Sequence, residues 1–128
     1  MEICTTDGVT VSVISQYLPD QSEPKAHKYI FGYHIRIDNG SPYTVQLLRR
    51  HWTIIDAHGV VREVEGEGVV GRQPVLHPGE SHEYISFCNL FTEIGKMYGS
   101  YLMKRLDDET TFRVTIPEFK MFCPIKFN

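Results

Sequence analysis

Apolar and polar residues alternate along most of this chain. Val9, Val11 and Val13 are separated by Thr10 and Ser12, and Tyr29, Phe31, Tyr33, Ile35 and Ile37 make one side of a second run. A period of two puts every second side chain on the same face of a strand, so both runs predict half-buried strands. The alternation returns with Tyr84 and Ser86 against Ile85 and Phe87, with Met97, Tyr101 and Met103 against Tyr98 and Leu102, and with Phe112, Val114 and Ile116. The C-terminal FKMFCPIKF from Phe119 also reads as sheet.

Turn chemistry punctuates these runs: Leu18-Pro19-Asp20, Asp38-Asn39-Gly40-Ser41-Pro42, Asp56-Ala57-His58-Gly59, His77-Pro78-Gly79 and Asp107-Asp108-Glu109. One segment admits a helical reading, Tyr43 to His58, where Leu48, Trp52 and Ile55 fall at helical spacing. Its β-branched end, Thr53-Ile54-Ile55, and the turn leading straight into Val60, Val61 and Val64 favour a hairpin instead. Short strands at this regular spacing predict an all-β sandwich of seven to eight strands.

At 128 residues the chain is expected to form a single domain spanning 1–128. Hydrophobic residues at 41% and charged residues at 23% are those of an ordinary soluble domain. A formal net charge of -3 argues against a nucleic-acid binder. Cys4, Cys88 and Cys123 are odd in number and lack C-x-x-C spacing, and no secretory leader occupies the first ten residues, so a reducing cytoplasm is expected. No apolar run approaches the ~18–20 residues needed to span a bilayer, so no membrane-spanning role is expected.

The stretch EVEGEGVVGRQPVLHP from Glu63 to Pro78 holds a GxGxxG at Gly66, Gly68 and Gly71. In a dinucleotide fold these glycines would open a helix whose N-terminal amides hold the pyrophosphate. Pro74 and Pro78 sit where that helix would run, at about 3 kcal/mol each, and Glu65 and Glu67 would face the phosphates with like charge. Two readings survive. In one, the amides of Gly66 to Gly71 form an anion-binding nest assisted by Arg72, Arg62 or the Arg49-Arg50 pair. In the other, favoured here, the glycines supply positive φ in a long loop crossing from one sheet to the other.

Other chemistry is sparser. His27 with His34 and His51 with His58 are each seven apart, which puts them on opposite faces of a continuous strand. His77, Glu80 and His82 flank a Pro-Gly turn and offer the one local convergence on a cation, without an HExxH or a cysteine-histidine framework. No nucleophile elbow is present, Cys88 and Cys123 fall in sheet runs, and the Asp107-Asp108-Glu109 tip reads as a solvated turn. Neither catalysis nor a cofactor is expected. Arg49 and Arg50 precede Trp52, so a basic and an aromatic element on one surface would suit an acidic partner; the alternative, favoured on composition, is a core tryptophan with arginines at a strand edge.

VQLLRRHW from Val45 to Trp52, VEGEGVVGRQP from Val64 to Pro74, the Pro78-Gly79 pair and GKMYGSYLM from Gly95 to Met103 together resemble the ApaG family, in order and over nearly the whole chain. Two departures are visible: SFCNLFTE from Ser86 to Glu93 lacks the glycine and proline usual there, and His51 replaces a tyrosine. The resemblance implies an immunoglobulin-like, fibronectin-type-III-like sandwich. It also implies a stand-alone bacterial protein, often encoded beside a diadenosine polyphosphate hydrolase and loosely tied to cobalt and magnesium handling. The resemblance further implies kinship with domains in F-box proteins and in a polymerase-delta-interacting protein, and so an expectation of protein partners.

The functional expectation is a non-catalytic protein-interaction module presenting Arg49, Arg50, Trp52 and the loop of Gly66, Glu67, Gly68, Gly71 and Arg72. Binding of a nucleotide polyphosphate at that loop, or of a divalent cation near His77, Glu80 and His82, is the alternative. Self-association through an edge strand to a homodimer is a third.

Overall fold

A computed structural model describes residues 1–124, so Ile125, Lys126 and Phe127 of the predicted C-terminal run lie outside the described residues. The strands are β1 (Glu2–Thr6), β2 (Val9–Tyr17), β3 (Tyr29–Asn39), β4 (Val45–Asp56), β5 (Val61–Glu67), β6 (Val75–Leu76), β7 (Ser81–Leu90), β8 (Ile94–Arg105) and β9 (Thr111–Phe122). Eight are strands of five residues or more, and the two-residue β6 escapes a periodicity argument because it is too short to alternate. Among the described residues the helical content is two 3-10 turns, Pro19–Gln21 and Pro24–Ala26, and no helix is long and apolar enough to cross a membrane. The segment from Tyr43 to His58 is strand, as its β-branched end required.

Two antiparallel sheets pack face to face. One runs β1-β2-β3-β7 and the other β5-β4-β8-β9, with β6 also on the edge of β4. The predicted alternating residues Val9, Val11, Val13, Tyr29, Phe31, Tyr33, Ile35 and Ile37 all line the shared core. Two register shifts explain why alternation alone could not assign the later strands. An extra residue at Leu48 switches the buried face of β4 from Val45 and Leu47 to Trp52 and Ile54. A second, around Pro117, switches β9 from Val114 and Ile116 to Phe119 and Met121. Proline has no N–H to lose at such a bulge.

The two long sides of the sandwich differ. On one, β1 and β2 close over β9: Ser15 Oγ donates to the Lys120 carbonyl at 3.1 Å and the Thr115 amide to Thr6 Oγ1 at 3.2 Å. On the other, β5 and β7 are edges bridged by the Arg62 guanidinium, which donates to the Asn89 carbonyl. Asn39 ties one end together. Its Nδ2 donates to the carbonyls of Tyr43 at 2.7 Å and Leu76 at 2.9 Å, and its Oδ1 accepts from the Ser41 amide and hydroxyl at 3.0 and 2.6 Å. The segment from Ser86 to Glu93, which departs from the family pattern, continues β7 to Leu90 before turning.

Candidate functional site

The glycine motif is built as a hairpin tip. Val69 and Arg72 exchange amide-to-carbonyl hydrogen bonds of 2.8 and 3.0 Å around Val70 and Gly71, whose φ values of 48° and 74° are those of a tight type I′ turn. Glycine suits the second position, while Val70 holds a conformation rare for a β-branched residue. Gly68 has φ 63°, its amide donates to the Leu48 carbonyl at 2.9 Å, and a β-carbon there would fall 2.1 Å from the Arg72 carbonyl oxygen. Two of the amides a nest over Gly66 to Gly71 would offer, those of Gly68 and Val69, are thus donated to protein carbonyls, as is the amide of Arg72 that follows it. The expectation that this loop crosses between the sheets is corrected by β6, which returns to the edge of β4 at Val45 and Gln46; the crossing falls at His77 to Glu80.

Arg49, Arg50 and Trp52 point into different surroundings. Arg50 faces inward opposite Gly66, and its Nη1 donates to the carbonyls of Glu67 at 3.1 Å and Gly68 at 3.0 Å. Beneath it the hydroxyls of Tyr84 and Tyr101 are hydrogen-bonded to each other. Burial pushes the phenols of Tyr84 and Tyr101 well up, and that of Tyr33 up as well, with the Arg50 charge opposing the rise in each. Arg49 lies on the outer face beside His51, Glu65, Leu102 and Arg113, around a hollow of about 40 Å³. Trp52 is 2% exposed, set edge-on between Tyr33 and Phe119 at 5.4 and 5.9 Å between ring centres. Arg49 and Arg50, adjacent on the strand, point to opposite faces, and Trp52, on the same face as Arg50, is sealed in the core, so the three form no common surface; the core reading of Trp52 is the one the structure adopts.

Arg72 is exposed and shares a shallow depression of about 270 Å³ with Val69, Val70, His82, Glu83 and Tyr84. Burial, and then the Arg72 charge, hold the His82 imidazole below its ordinary value. The three residues of the candidate cation site are differently employed. Glu80 Oε1 accepts from the His77 amide at 2.7 Å, the His77 ring meets Thr44 Oγ1 at 3.2 Å, and His82 belongs to the Arg72 depression. Among the described residues no three His, Cys, Asp or Glu side chains converge on one point. At the Asp107-Asp108-Glu109 tip, Asp108 accepts from the Thr110 hydroxyl and amide at 2.7 and 3.1 Å, which lowers its carboxyl below the usual range and closes the turn.

A further feature was not singled out from the sequence. Across the outer face of the β2-β3-β7 sheet, Ile14, His34 and Ile85 lie in one row, with Gln16, Gly32 and Phe87 in the next. Ile14 is 49% exposed and Ile85 and Phe87 are each 60% exposed. Gly32, having no side chain, lets Leu18 and Phe87 lean over it from either side, and the result is an apolar groove of about 160 Å³. The available signal was β7, where Ile85 and Phe87 are apolar although Tyr84 and Cys88 already supply the core face. A strand apolar on both faces, in a sandwich of two sheets, has one apolar face left over.

The model of the ApaG domain matches residues 19–105. Protein ApaG of Brucella abortus is 48% identical over 124 residues, 97% of this chain and 95% of the relative. Protein ApaG of Brucella anthropi is 50% identical over 119 residues, 93% of this chain and 91% of the relative. A crystal structure from Bordetella pertussis, described as an ApaA protein, superposes with a TM-score of 0.87 at 44% identity, covering 92% of this chain and 95% of that one.

Proposed function

This chain belongs to the ApaG family, and from that premise we propose that it acts as a non-catalytic protein-interaction module on an immunoglobulin-like, fibronectin-type-III-like sandwich. With β1 and β6 set aside, the strands divide into β2-β3-β7 and β5-β4-β8-β9, the three-plus-four arrangement that supports the finer fold reading. The observation that carries the function is the apolar groove over Gly32, where Ile14, Ile85 and Phe87 stand exposed together on the outer sheet face. Contiguous exposed apolar surface is costly in water and marks binding faces. The partner it suits is a protein presenting one apolar ridge, with His34 and Glu83, 3.2 Å apart, as a polar rim. All three cysteines are free, which supports a cytoplasmic setting.

The polyphosphate alternative has less support, because the Gly68, Val69 and Arg72 amides already have acceptors. A direct cation site has less support as well, because His77, Glu80 and His82 do not converge: Glu80 Oε1 accepts from the His77 amide and the His77 ring meets Thr44 Oγ1.

The test is a paired capture from a bacterial lysate with the wild-type protein and an Ile85→Lys, Phe87→Glu variant, followed by purification of the captured protein and calorimetric titration. A one-to-one complex weakened at least about tenfold by the double substitution is expected. Binding that ignores the substitutions, or hydrolysis of a nucleotide or phosphoester by the pure protein that Arg72→Ala abolishes, overturns the reading.

A further inference from the structure

The β5 edge carries a second, independent seat. β5 pairs with β4 alone and ends the sheet order, so its other side presents a row of backbone amides and carbonyls. Its pairing with β4 is continuous over seven residues, Val61 to Glu67, without a register shift and without proline. Bulges, prolines and charged side chains are the usual means of making an edge unusable to a like strand; this edge has neither bulge nor proline, and its protection is charge, from Glu63, Glu65, Glu67 and the inner-face Arg62.

The two faces of the strand differ in chemistry. Glu63, Glu65 and Glu67 lie on the outer face and are all exposed. His51 Nε2 stands 3.4 Å from Glu63 and 3.7 Å from Glu65, so one imidazole faces two carboxylates, and Glu67 lies opposite Arg49 in the register without an ion pair between them. The inner face holds Arg62, Val64 and Gly66, opposite Ile54, Trp52 and Arg50. Val64 packs over the Trp52 position yet remains 40% exposed, because no strand follows it. At Gly66 the Arg50 guanidinium fills the space a side chain would take.

These features select one occupant over another. A second copy of β5 laid antiparallel would bring Glu63, Glu65 and Glu67 opposite one another at about 5 Å, a repulsive arrangement. An extended segment with Lys or Arg at alternate positions would meet the same carboxylates favourably, set an apolar residue beside Val64 and satisfy the exposed backbone. We infer that the β5 edge accepts a basic, extended peptide of about seven residues by strand addition, with cationic side chains over Glu63, Glu65 and Glu67 and an apolar one beside Val64. Main-chain hydrogen bonds supply affinity, and the glutamates set register and sign.

The experiment is an amide NMR titration of the labelled protein with a synthetic peptide alternating Lys with Val and Thr, together with a copy carrying Glu for Lys and a copy with a central Pro. Shifts confined to β5 and β4 are expected, with slowed exchange of β5 amides. The Glu copy should not bind. Affinity should fall at least about tenfold in the Glu63→Gln, Glu65→Gln, Glu67→Gln variant and with salt raised from about 50 to 300 mM. Equal binding of the Pro copy would reduce the effect to diffuse charge attraction and overturn the inference. So would shifts on the outer face of β7, an unchanged affinity in the triple variant, or sedimentation showing a dimer that the triple variant strengthens. The Ile85→Lys, Phe87→Glu variant should bind the peptide as the wild type does, so failure at one face is told apart from failure at the other.

Discussion

The Arg50 guanidinium occupies the space that a side chain at Gly66 would need: a β-carbon built on Gly66 lies 2.8 Å from Arg50 Nη1. The motif that looks like a phosphate loop is therefore a set of clearances around one inward arginine and one hairpin tip. The three glycines should differ in what they tolerate. Gly68→Ala sets a β-carbon 2.1 Å from a backbone carbonyl at positive φ, and a loss on the order of 3 kcal/mol is expected. Gly66→Ala displaces only the end of a flexible arginine, at the cost of its two carbonyl contacts, about 1–2 kcal/mol. Gly71→Ala meets nothing within 4 Å and carries the left-handed backbone term alone, roughly 1 kcal/mol. Urea unfolding of the three variants checks the order, and a Gly71 variant weaker than the Gly68 one would contradict it. The same ranking makes Gly68→Ala a poor probe of ligand binding, since it disturbs the turn itself.

Alkaline pH should loosen the sandwich through its interior acids. Burial pushes the Cys88 thiol from 9.0 up to about 11, against the pull of Arg62, and raises the phenols of Tyr84 and Tyr101 well above 10.0. An acid whose folded value is raised keeps its proton in the native state while the unfolded chain loses it. The stability it contributes is therefore complete below pH 9 for Cys88 and is lost as pH rises toward about 11, with the tyrosines adding to the slope above pH 10. Between those limits each such group contributes a slope of up to about 1.4 kcal/mol per pH unit. Urea midpoints measured from pH 8 to 11 should fall, and Cys88→Ala should flatten the part between pH 9 and 10. A midpoint independent of pH to 11 would show these groups reaching solvent.

Much of the fold was legible because period-two alternation maps directly onto burial: the valines of β2 and the five alternating residues of β3 are all core. Alternation failed at Leu48 and Pro117, where one extra residue exchanges the faces; nothing in the sequence marks the first, whereas a proline inside a strand run was a mark of the second. The proline argument against a helix after Gly71 was sufficient, since Pro74 and Pro78 flank β6. Whether Arg49, Arg50 and Trp52 could share a surface was beyond the local sequence, because Arg50 and Trp52 do share a face and only the partner sheet decides that this face is buried. The outer-face apolar residues were in view as the second half of the Tyr84 to Phe87 alternation. What was missing was the knowledge that one sheet, packed on one side only, leaves them uncovered.

Asn39 shows the same limit from the other direction. In Asp38-Asn39-Gly40-Ser41-Pro42 it reads as an ordinary turn residue, yet it is 1% exposed and uses both ends of its amide on four backbone and hydroxyl partners. Those bonds join the end of β3 to β6 and to the strand entering β4, so they connect the two sheets at the crossing. Asn39→Ala takes the side-chain donor from the Leu76 carbonyl and the acceptor from the Ser41 amide, and leaves the Tyr43 carbonyl only the longer 3.3 Å contact with the Ser41 hydroxyl, so at 1–3 kcal/mol for each group deprived of its partner a loss of at least about 2 kcal/mol is expected. Asn39→Asp keeps the acceptor for Ser41 but sets a carboxylate against the carbonyls of Tyr43 and Leu76. Burial and those carbonyls would raise its folded pKa, so the Asp variant should be least stable at neutral pH and recover below about pH 5, where the protonated acid can donate to one carbonyl. The Ala variant has no such group and should show no recovery. Thermal melts of both variants from pH 4 to 8 distinguish the cases, and parallel pH profiles would mean that position 39 is solvated and the two sheets are joined by other contacts.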